Sequence, residues 1–520
     1  MDETRKIIVT HQGALRSKYG AAIDRVTKAV DALIAADAER GILSRLVALD
    51  SRAGMEEFGA PPMGAATDRE GAKRAIDAID RRLKPHYILI LGAGDVVPMQ
   101  YLVNPTGALV FDRMGGGDAD EIVESDLPYA CEMDSDHPAD FQGPTRVVGR
   151  LPDLPGATSP AYLEKVLKLA ARAQSLPREA YEDWLGLTAQ IWAVSSGVTA
   201  MRVFGDLSRL VMSPPMRDSW KKRLLSPRLH FINCHGDEGE DAFFGQEMGK
   251  KEKDRALSSA SLRKMTLSPG TVVAAECCFG GFVSVPQVVR RGRVPVALEY
   301  LRQGAFGVFA STGTSYGMPV GNRWADVLCR HFLKRIREGA SLGRAALMAR
   351  HDYIRGKDVL DPVKAKTLAQ FCLLGDPSIH PVAIPASRRA LRRPVVDQRR
   401  LQAQARQRRR EEARRLGAEL AASQDFLHSI GVEDAWQESL LEAARKNHVE
   451  AKLVKAFALG ARASSAFAGD QSTAAMRAAG KVVMLVGTLA ANPQLVPRYV
   501  AIVGKVVGGK VVKTWVGHSK

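Results

Sequence analysis

Short apolar segments alternate with longer amphipathic segments over most of the chain. The apolar segments predict strands at 5–10, 87–91, 146–148, 191–195, 229–234, 271–276 and 305–311. The amphipathic segments predict helices at 21–38, 70–83, 161–174, 201–212, 285–290, 322–338 and 342–355. Apolar strands that alternate with helices are typical of a mostly parallel sheet covered on both faces. We therefore predict an α/β fold with a site at the carboxyl ends of the strands.

The pattern changes after residue 385. Between residues 388 and 415 the chain carries twelve arginines against three acidic residues, which indicates a solvated linker or a contact with an anionic surface. No aromatic residue interrupts the arginines, so the segment offers no platform for base stacking. Beyond it, amphipathic and Val/Ala/Gly-rich stretches predict an α-helical module at 421–520, which could bind a regulatory partner.

Composition bounds the class of protein and its partners. A chain of 520 residues with 46% hydrophobic and 25% charged residues is expected to fold into two or three domains. Its net charge of +17 favours an anionic partner, whether nucleic acid, a membrane surface or an acidic protein. The apolar stretch at 7–10 is too short for a signal peptide, and no apolar run of about 18 residues predicts a transmembrane segment. We therefore expect a cytoplasmic protein whose six cysteines are reduced.

Two of the predicted strands end at reactive side chains followed by glycine. Strand 229–234 continues into His235 and Gly236, and strand 271–276 continues into Cys277 and Cys278. A thiolate can attack a carbonyl, and an imidazole can protonate the departing amine. The N–H groups of Gly236 and Cys278 are candidates for binding the oxyanion. The pattern therefore predicts a cysteine-type peptidase that needs neither a metal nor an organic cofactor.

A histidine at the end of an apolar strand is often only structural, so the residues after His235 are needed to judge whether it is catalytic. Gly236 would let a substrate main chain approach closely. The acidic run at 237–241 would raise the pKa of the imidazole toward the protonated form that a leaving-group acid needs. We therefore predict that His235 is catalytic.

The adjacent cysteines leave the nucleophile open. Successive side chains of a strand point to opposite faces, so only one of Cys277 and Cys278 can face His235. The other is expected to be a small buried side chain. Alternation along the strand does not decide between them.

Acidic side chains near the thiols suggest a substrate preference. Glu276 precedes the cysteines, and Asp237 and Glu238 follow Gly236. A carboxylate beside the nucleophile would form a bidentate pair with an arginine of the substrate. The alternative for Glu276 is a salt bridge to a neighbouring loop. A further acidic loop at 114–126 lacks the spacing of an EF-hand, which favours a solvated loop over a Ca²⁺ site.

The segment Glu-Cys-Cys-Phe-Gly-Gly at 276–281 is similar to the metacaspase pattern Asp-Cys-Cys-His-Ser-Gly, whose second cysteine is the nucleophile. This resemblance implies that Cys278 is the nucleophile and that Glu276 lines the pocket for a basic P1 side chain. The wider chain resembles the gingipain family of caspase-like (clan CD) peptidases, in the family's order, at 87–98, 125–130, 148–152, 304–313 and 373–378. Alignment on the gingipain pattern Cys-x-x-Gly-x-Phe selects Cys277 instead.

The resemblance implies a caspase-like peptidase domain at 86–385, a linker at 386–420 and the helical module at 421–520. Residues 1–85 would be either the first part of the peptidase fold or a regulatory segment. The implied function is a cysteine endopeptidase that cleaves protein substrates after Arg or Lys, and possible roles are bacterial stress responses or antiphage defence. The alternative is an inactive protease-like scaffold whose basic C-terminal region binds nucleic acid or an anionic membrane.

Overall fold

The computed structural model describes residues 4–106, 118, 120–132, 135–284, 293–355 and 362–384. Beyond residue 384 it describes residues 394, 400, 401, 403, 404 and 407 and five strands. The chain divides into two compact units: one comprises Met1–Val103 and Ile122–Gln398, and the other comprises Asn104–Glu121 and Arg399–Lys520.

The first unit contains fourteen strands within its described residues. They are β1 (Thr4–Thr10), β2 (Ile42–Ala48), β3 (Tyr87–Leu91), β4 (Gln100–Val103), β5 (Ile122–Ser125), β6 (Val148–Leu151), β7 (Trp184–Ala189), β8 (Leu210–Ser213), β9 (Leu229–Asn233), β10 (Ala242–Gln246), β11 (Lys253–Ser258), β12 (Val272–Ala275), β13 (Gly307–Ser311) and β14 (Phe371–Gly375). Two antiparallel pairs, β4 with β5 and β10 with β11, form separate two-stranded sheets.

The main sheet has ten strands in the order β2-β1-β3-β6-β14-β13-β12-β9-β7-β8. Every neighbouring pair is parallel except β13 and β14, which are antiparallel. The sheet therefore consists of two five-stranded parallel halves that run in opposite directions and meet between β13 and β14. Since β1 and β2 belong to this sheet, residues 1–85 contribute strands to the main fold.

The described helices of this unit are α1 (Gln12–Tyr19), α2 (Ile23–Glu39), α3 (Arg52–Glu56), α4 (Arg69–Leu83), α5 (Ala161–Ala171), α6 (Ala193–Val203), α7 (Ser259–Lys264), α8 (Val296–Arg302), α9 (Ala325–Arg337), α10 (Leu342–Ile354) and α11 (Pro362–Gln370). None of the helices within the described ranges is long and apolar enough to cross a membrane.

Helices cover both faces of the half-sheet that carries β9 and β12. On β9, His230 lies 3.0 Å from the hydroxyl of Tyr300 on α8, whereas Asn233 donates a 3.1 Å hydrogen bond to Ser196 on α6. Side chains three positions apart on a strand point to opposite faces, so α8 and α6 lie on opposite sides of the sheet. The predicted fold class, a mostly parallel α/β sheet with helices on both faces, is confirmed.

Two adjacent sequence predictions are wrong between β7 and β8. The predicted strand at 191–195 lies in a 3-10 turn, Gln190–Trp192, and the start of α6, and the predicted helix at 201–212 runs past the end of α6 into β8. A short apolar run fits a buried helix as well as a strand, and here tertiary packing selects the helix. The predicted helix at 285–290 lies outside the described residues.

The second unit contains a five-stranded antiparallel sheet, in the order β15-β16-β17-β18-β19. These strands are β15 (Leu427–Ser429), β16 (Lys455–Leu459), β17 (Lys481–Leu489), β18 (Arg498–Val507) and β19 (Lys510–His518). The prediction of an α-helical module at 421–520 is therefore wrong for the segments described there. Valine is frequent in β17, β18 and β19, and its branched side chain favours strands. Most of the Arg-rich linker at 386–420 lies outside the described residues.

Candidate active site

The histidine and cysteine segments follow neighbouring parallel strands. Ile232 of β9 is in register with Ala275 of β12, and both strands end within one residue of these positions. A Cβ atom on Gly236 would lie only 1.8 Å from the carbonyl oxygen of Cys278. The main chain beside His235 is therefore packed directly against the main chain of Cys278, as the sequence predicts for a two-residue site at the strand ends.

Burial separates the two adjacent thiols. Cys277 is completely buried in the hydrophobic core, and burial raises the pKa of its thiol well above the usual value. Cys278 is partly exposed, and the N–H of Ser315 donates to its Sγ at 3.3 Å. A nucleophile needs access to substrate and stabilisation of its thiolate, so the structure favours Cys278 over Cys277.

A strained main-chain turn follows the accessible thiol. Phe279 has a φ of 54°, in the left-handed region that a bulky side chain rarely adopts. Its N–H donates to the carbonyl of Gly313 at 3.0 Å, and its ring contacts Phe282 edge-on. These contacts hold the turn that takes the chain out of β12 and leaves Cys278 just beyond the carboxyl end of that strand.

Several contacts fix His235 on the other strand end. Its N–H and C=O form a pair of 2.8 Å hydrogen bonds with Phe244 of β10, and its Nε2 lies 2.6 Å from Oε1 of Gln246. The imidazole also packs against the Trp192 ring at 4.4 Å between centroids. The ring is therefore held on one side by β10 and on another by the segment that precedes α6.

The imidazole is less basic than the sequence predicts. Burial, followed by the positive charge of Lys253, lowers the pKa of His235 to about 4, and the hydrogen bond to Gln246 opposes this shift. The predicted rise in pKa from the acidic run at 237–241 is wrong, because Asp237 and Glu238 extend into solvent. His235 is consequently a neutral imidazole at neutral pH, and it must accept a proton before it can donate one.

Glu276 lies beneath the site rather than on its rim. It is 5% exposed, and burial together with the neighbouring Asp326 of α9 raises the pKa of its carboxyl well above the usual value. The two carboxyl groups meet beside Gly317, where a Cβ atom would lie 3.5 Å from Oδ2 of Asp326 and 3.8 Å from Oε2 of Glu276. A side-chain hydrogen bond with Asp326 contributes to this rise, and within the described residues no N–H group donates to either oxygen of Glu276. Among the described residues the positive charge that acts on Glu276 is that of Arg330 on α9, so the structure does not show the alternative of a salt bridge to a neighbouring loop.

The other two candidate acids lie elsewhere. Asp237 is exposed and lines a small cavity with Phe279 and Phe282, and its carboxylate accepts the N–H of Glu238 at 2.9 Å. Glu276 instead points toward α9. The structure therefore divides the three predicted substrate-binding carboxylates between two places.

Sequence reasoning missed four residues that contact the candidate residues: Trp192, Gln246, Ser315 and Asp326. None stands in a motif, and each reaches the site from a different helix, strand or loop than the residue it contacts. Within the described ranges, no group of three or more His, Cys, Asp or Glu side chains could hold a metal ion.

A partly exposed thiol and a histidine at neighbouring strand ends of a mostly parallel α/β sheet are the features of a caspase-like cysteine peptidase. A sequence model of peptidase family C25 matches residues 235–382, a segment that begins at His235 and includes Cys278. The chain is thus a cysteine-type peptidase that resembles the gingipain family in this segment.

Solved structures that are similar to the chain include a complex of the Porphyromonas gingivalis RgpB pro- and mature domains, at 11% identity with 99% of each chain covered and a TM-score of 0.46. Another is described as a structure of a protease, at 12% identity with 100% of this chain and 97% of that chain covered and a TM-score of 0.44. A comparison with curated protein sequences gives no match.

Proposed function

We propose that this protein is an endopeptidase in which Cys278 is the nucleophile and His235 the general base and acid. The observation that carries the proposal is the contact of Gly236 with the Cys278 main chain, which joins the two segments. His235 takes the thiol proton, and the thiolate attacks the scissile carbonyl. The protonated His235 then gives that proton to the departing amine, and water hydrolyses the thioester to release the acid and restore the thiol.

The oxyanion of this reaction needs hydrogen-bond donors at the same place. The N–H of Gly236 donates to no group within the described residues, and it stands next to Cys278. We assign it as an oxyanion donor together with the N–H of Cys278. A donor in this position stabilises the charge that develops on the carbonyl oxygen.

The test compares three variants in peptide cleavage. Cys278→Ala and His235→Ala should each abolish cleavage while leaving the far-UV spectrum and melting temperature close to wild type. Cys277→Ala is the matched control: it should lose about 1 kcal/mol of stability but keep substantial activity. An inactive Cys277→Ala beside an active Cys278→Ala would reverse the assignment.

We also propose that the enzyme cleaves after Arg or Lys. The support is the carboxyl pair of Glu276 and Asp326, which lies beside Gly317, two residues after the Ser315 that contacts Sγ of Cys278. A guanidinium entering here would donate hydrogen bonds to the two carboxyl groups and would favour ionisation of the pair. Asp237 and Glu238 lie apart from this carboxyl pair and are not part of the proposed pocket.

Labelling separates this function from an inactive scaffold that uses its basic C-terminal region to bind nucleic acid or membrane. An acyloxymethyl ketone probe with P1 Arg should modify Cys278 at neutral pH, whereas an inert thiol would stay unlabelled. We further propose a cytoplasmic, regulated protease of bacterial stress or antiphage defence, on the strength of the resemblance to caspase-like enzymes. Loss of protection in phage-challenged cells carrying Cys278→Ala would test that role.

A further inference from the structure

The reaction proposed above needs a particular form of the histidine. A neutral imidazole carries one proton on one of its two nitrogens, and only the other nitrogen has a lone pair for the thiol proton. In His235, Nε2 lies 2.6 Å from Oε1 of Gln246, near the end of β10. Whichever group is the donor in this hydrogen bond decides which nitrogen is basic.

A second hydrogen bond of Gln246 settles the donor. The amide nitrogen of Gln246 lies 2.5 Å from the carbonyl oxygen of Lys250, in the turn between β10 and β11. A carbonyl oxygen can only accept, so the NH₂ group of Gln246 must face Lys250 and its Oε1 must face His235. Oε1 can also only accept, so the proton of the imidazole lies on Nε2. The lone pair is therefore on Nδ1.

From this chain of hydrogen bonds we infer that Gln246 is a positioning residue, which holds His235 as the tautomer with a basic Nδ1 and fixes the plane of its ring. The inference rests on the proposed catalytic role of His235. It adds the residue that prepares the imidazole for proton transfer, in the way that an orienting partner selects the tautomer of a catalytic histidine.

The chemistry of Gln246 also differs from that of a carboxylate in the same place. An amide oxygen selects the tautomer without adding a negative charge, so it leaves the imidazole weakly basic. The charged group that acts on His235 is Lys253 of β11, and its positive charge disfavours the protonated ring. The Cys278 thiol, the proposed source of the proton, follows the neighbouring strand β12. A carboxylate in place of Gln246 would oppose Lys253 directly.

Two substitutions of similar size separate positioning from a structural role. Gln246→Met removes both hydrogen bonds but keeps much of the side-chain volume, and kcat should fall by about tenfold or more with little change in KM. Gln246→Glu keeps an acceptor near Nε2 and adds a charge, so the acid limb of the kcat/KM profile should move up by about 1 to 3 pH units. Gln190→Met is the control, since Gln190 binds the main chain of Met248 in the same turn and should leave the pH profile unchanged.

The tautomer can also be read without an activity assay. Long-range ¹⁵N–¹H correlation spectra of ring-labelled wild type should show His235 protonated on Nε2, and Gln246→Met should lose that preference. A wild type that cleaves peptides while His235 carries its proton on Nδ1 would overturn the inference and leave the proposed function standing. A pH profile of Gln246→Glu that overlays the wild-type profile would likewise overturn the inference about Gln246. A folded wild type with the expected tautomer and no peptidase activity would instead refute the proposed function.

Discussion

Gly236 and Cys278 approach each other so closely that position 236 has no room for a side chain. The Cβ of any other residue at 236 would lie 1.8 Å from the carbonyl oxygen and 2.9 Å from the carbonyl carbon of Cys278. Real Cβ atoms do not approach the main chain to this distance, so one of the two segments would have to move. The glycine after the histidine is therefore what allows the two ends of β9 and β12 to meet.

Gly236→Ala should move Cys278 away from His235 without unfolding the protein. Displacing Cys278 relative to His235 by about 1 Å is expected to lower kcat/KM by roughly 100-fold. Gly197→Ala is the control, because a Cβ at that position of α6 would lie 3.7 Å from Leu207, an ordinary contact. The control should retain wild-type kcat/KM in a peptide cleavage assay, and full activity of Gly236→Ala would contradict the close contact.

The low pKa of His235 predicts activity in mildly acidic solution. The imidazole must be neutral to accept the thiol proton, so kcat/KM should fall only as the pH drops through about 4. An unburied histidine would give an acid limb near its ordinary value of about 6.5.

Lys253→Met provides an internal check on this assignment. Removing the positive charge that disfavours the imidazolium should raise the pKa of His235 and move the acid limb upward. Because Lys253 is exposed, solvent screens its charge, and the shift should stay below about one pH unit. A limb near 6.5 in wild type, or a downward shift in Lys253→Met, would show that another group controls the profile.

Glu276→Gln should alter substrate preference. Replacing the buried carboxyl with an amide removes the charge that would pair with a P1 guanidinium, at a cost of about 2–5 kcal/mol in transition-state binding. We expect kcat/KM for P1-Arg substrates to fall far more than for uncharged P1 residues. Glu238→Gln is the matched control at an exposed position. A library profile dominated by Asp or large apolar P1 residues would rule out the basic preference.

The Arg-rich linker predicts self-cleavage. An enzyme that prefers P1 Arg carries twelve arginines between residues 388 and 415, and segments between domains are the ones most accessible to proteolysis. Incubated wild type should release a C-terminal fragment of roughly 110–130 residues, whereas Cys278→Ala should remain intact. Intact mass spectrometry would locate the cut. Wild type that cleaves a P1-Arg reporter but stays full length would refute this prediction.

The sequence alone determined the class of fold and the two segments of the candidate site. Strands such as β3 and β9 are short, apolar and bounded by turn residues, so their local pattern identifies them. The glycines after His235 and Cys278 likewise mark turns at strand ends. The strands of residues 421–520 were missed because Val- and Ala-rich stretches fit either a helix or a strand until cross-strand pairing is known.

Only the tertiary structure decided which thiol is accessible and how basic the histidine is. Cys277 and Cys278 are chemically identical neighbours. Their accessibility differs because Cys277 faces the packed core, whereas Cys278 is partly exposed beyond the carboxyl end of β12. The pKa of His235 depends on burial and on Lys253, and its tautomer on Gln246. Solvation and hydrogen bonding are set by neighbours in space, and the local sequence around a residue does not contain them.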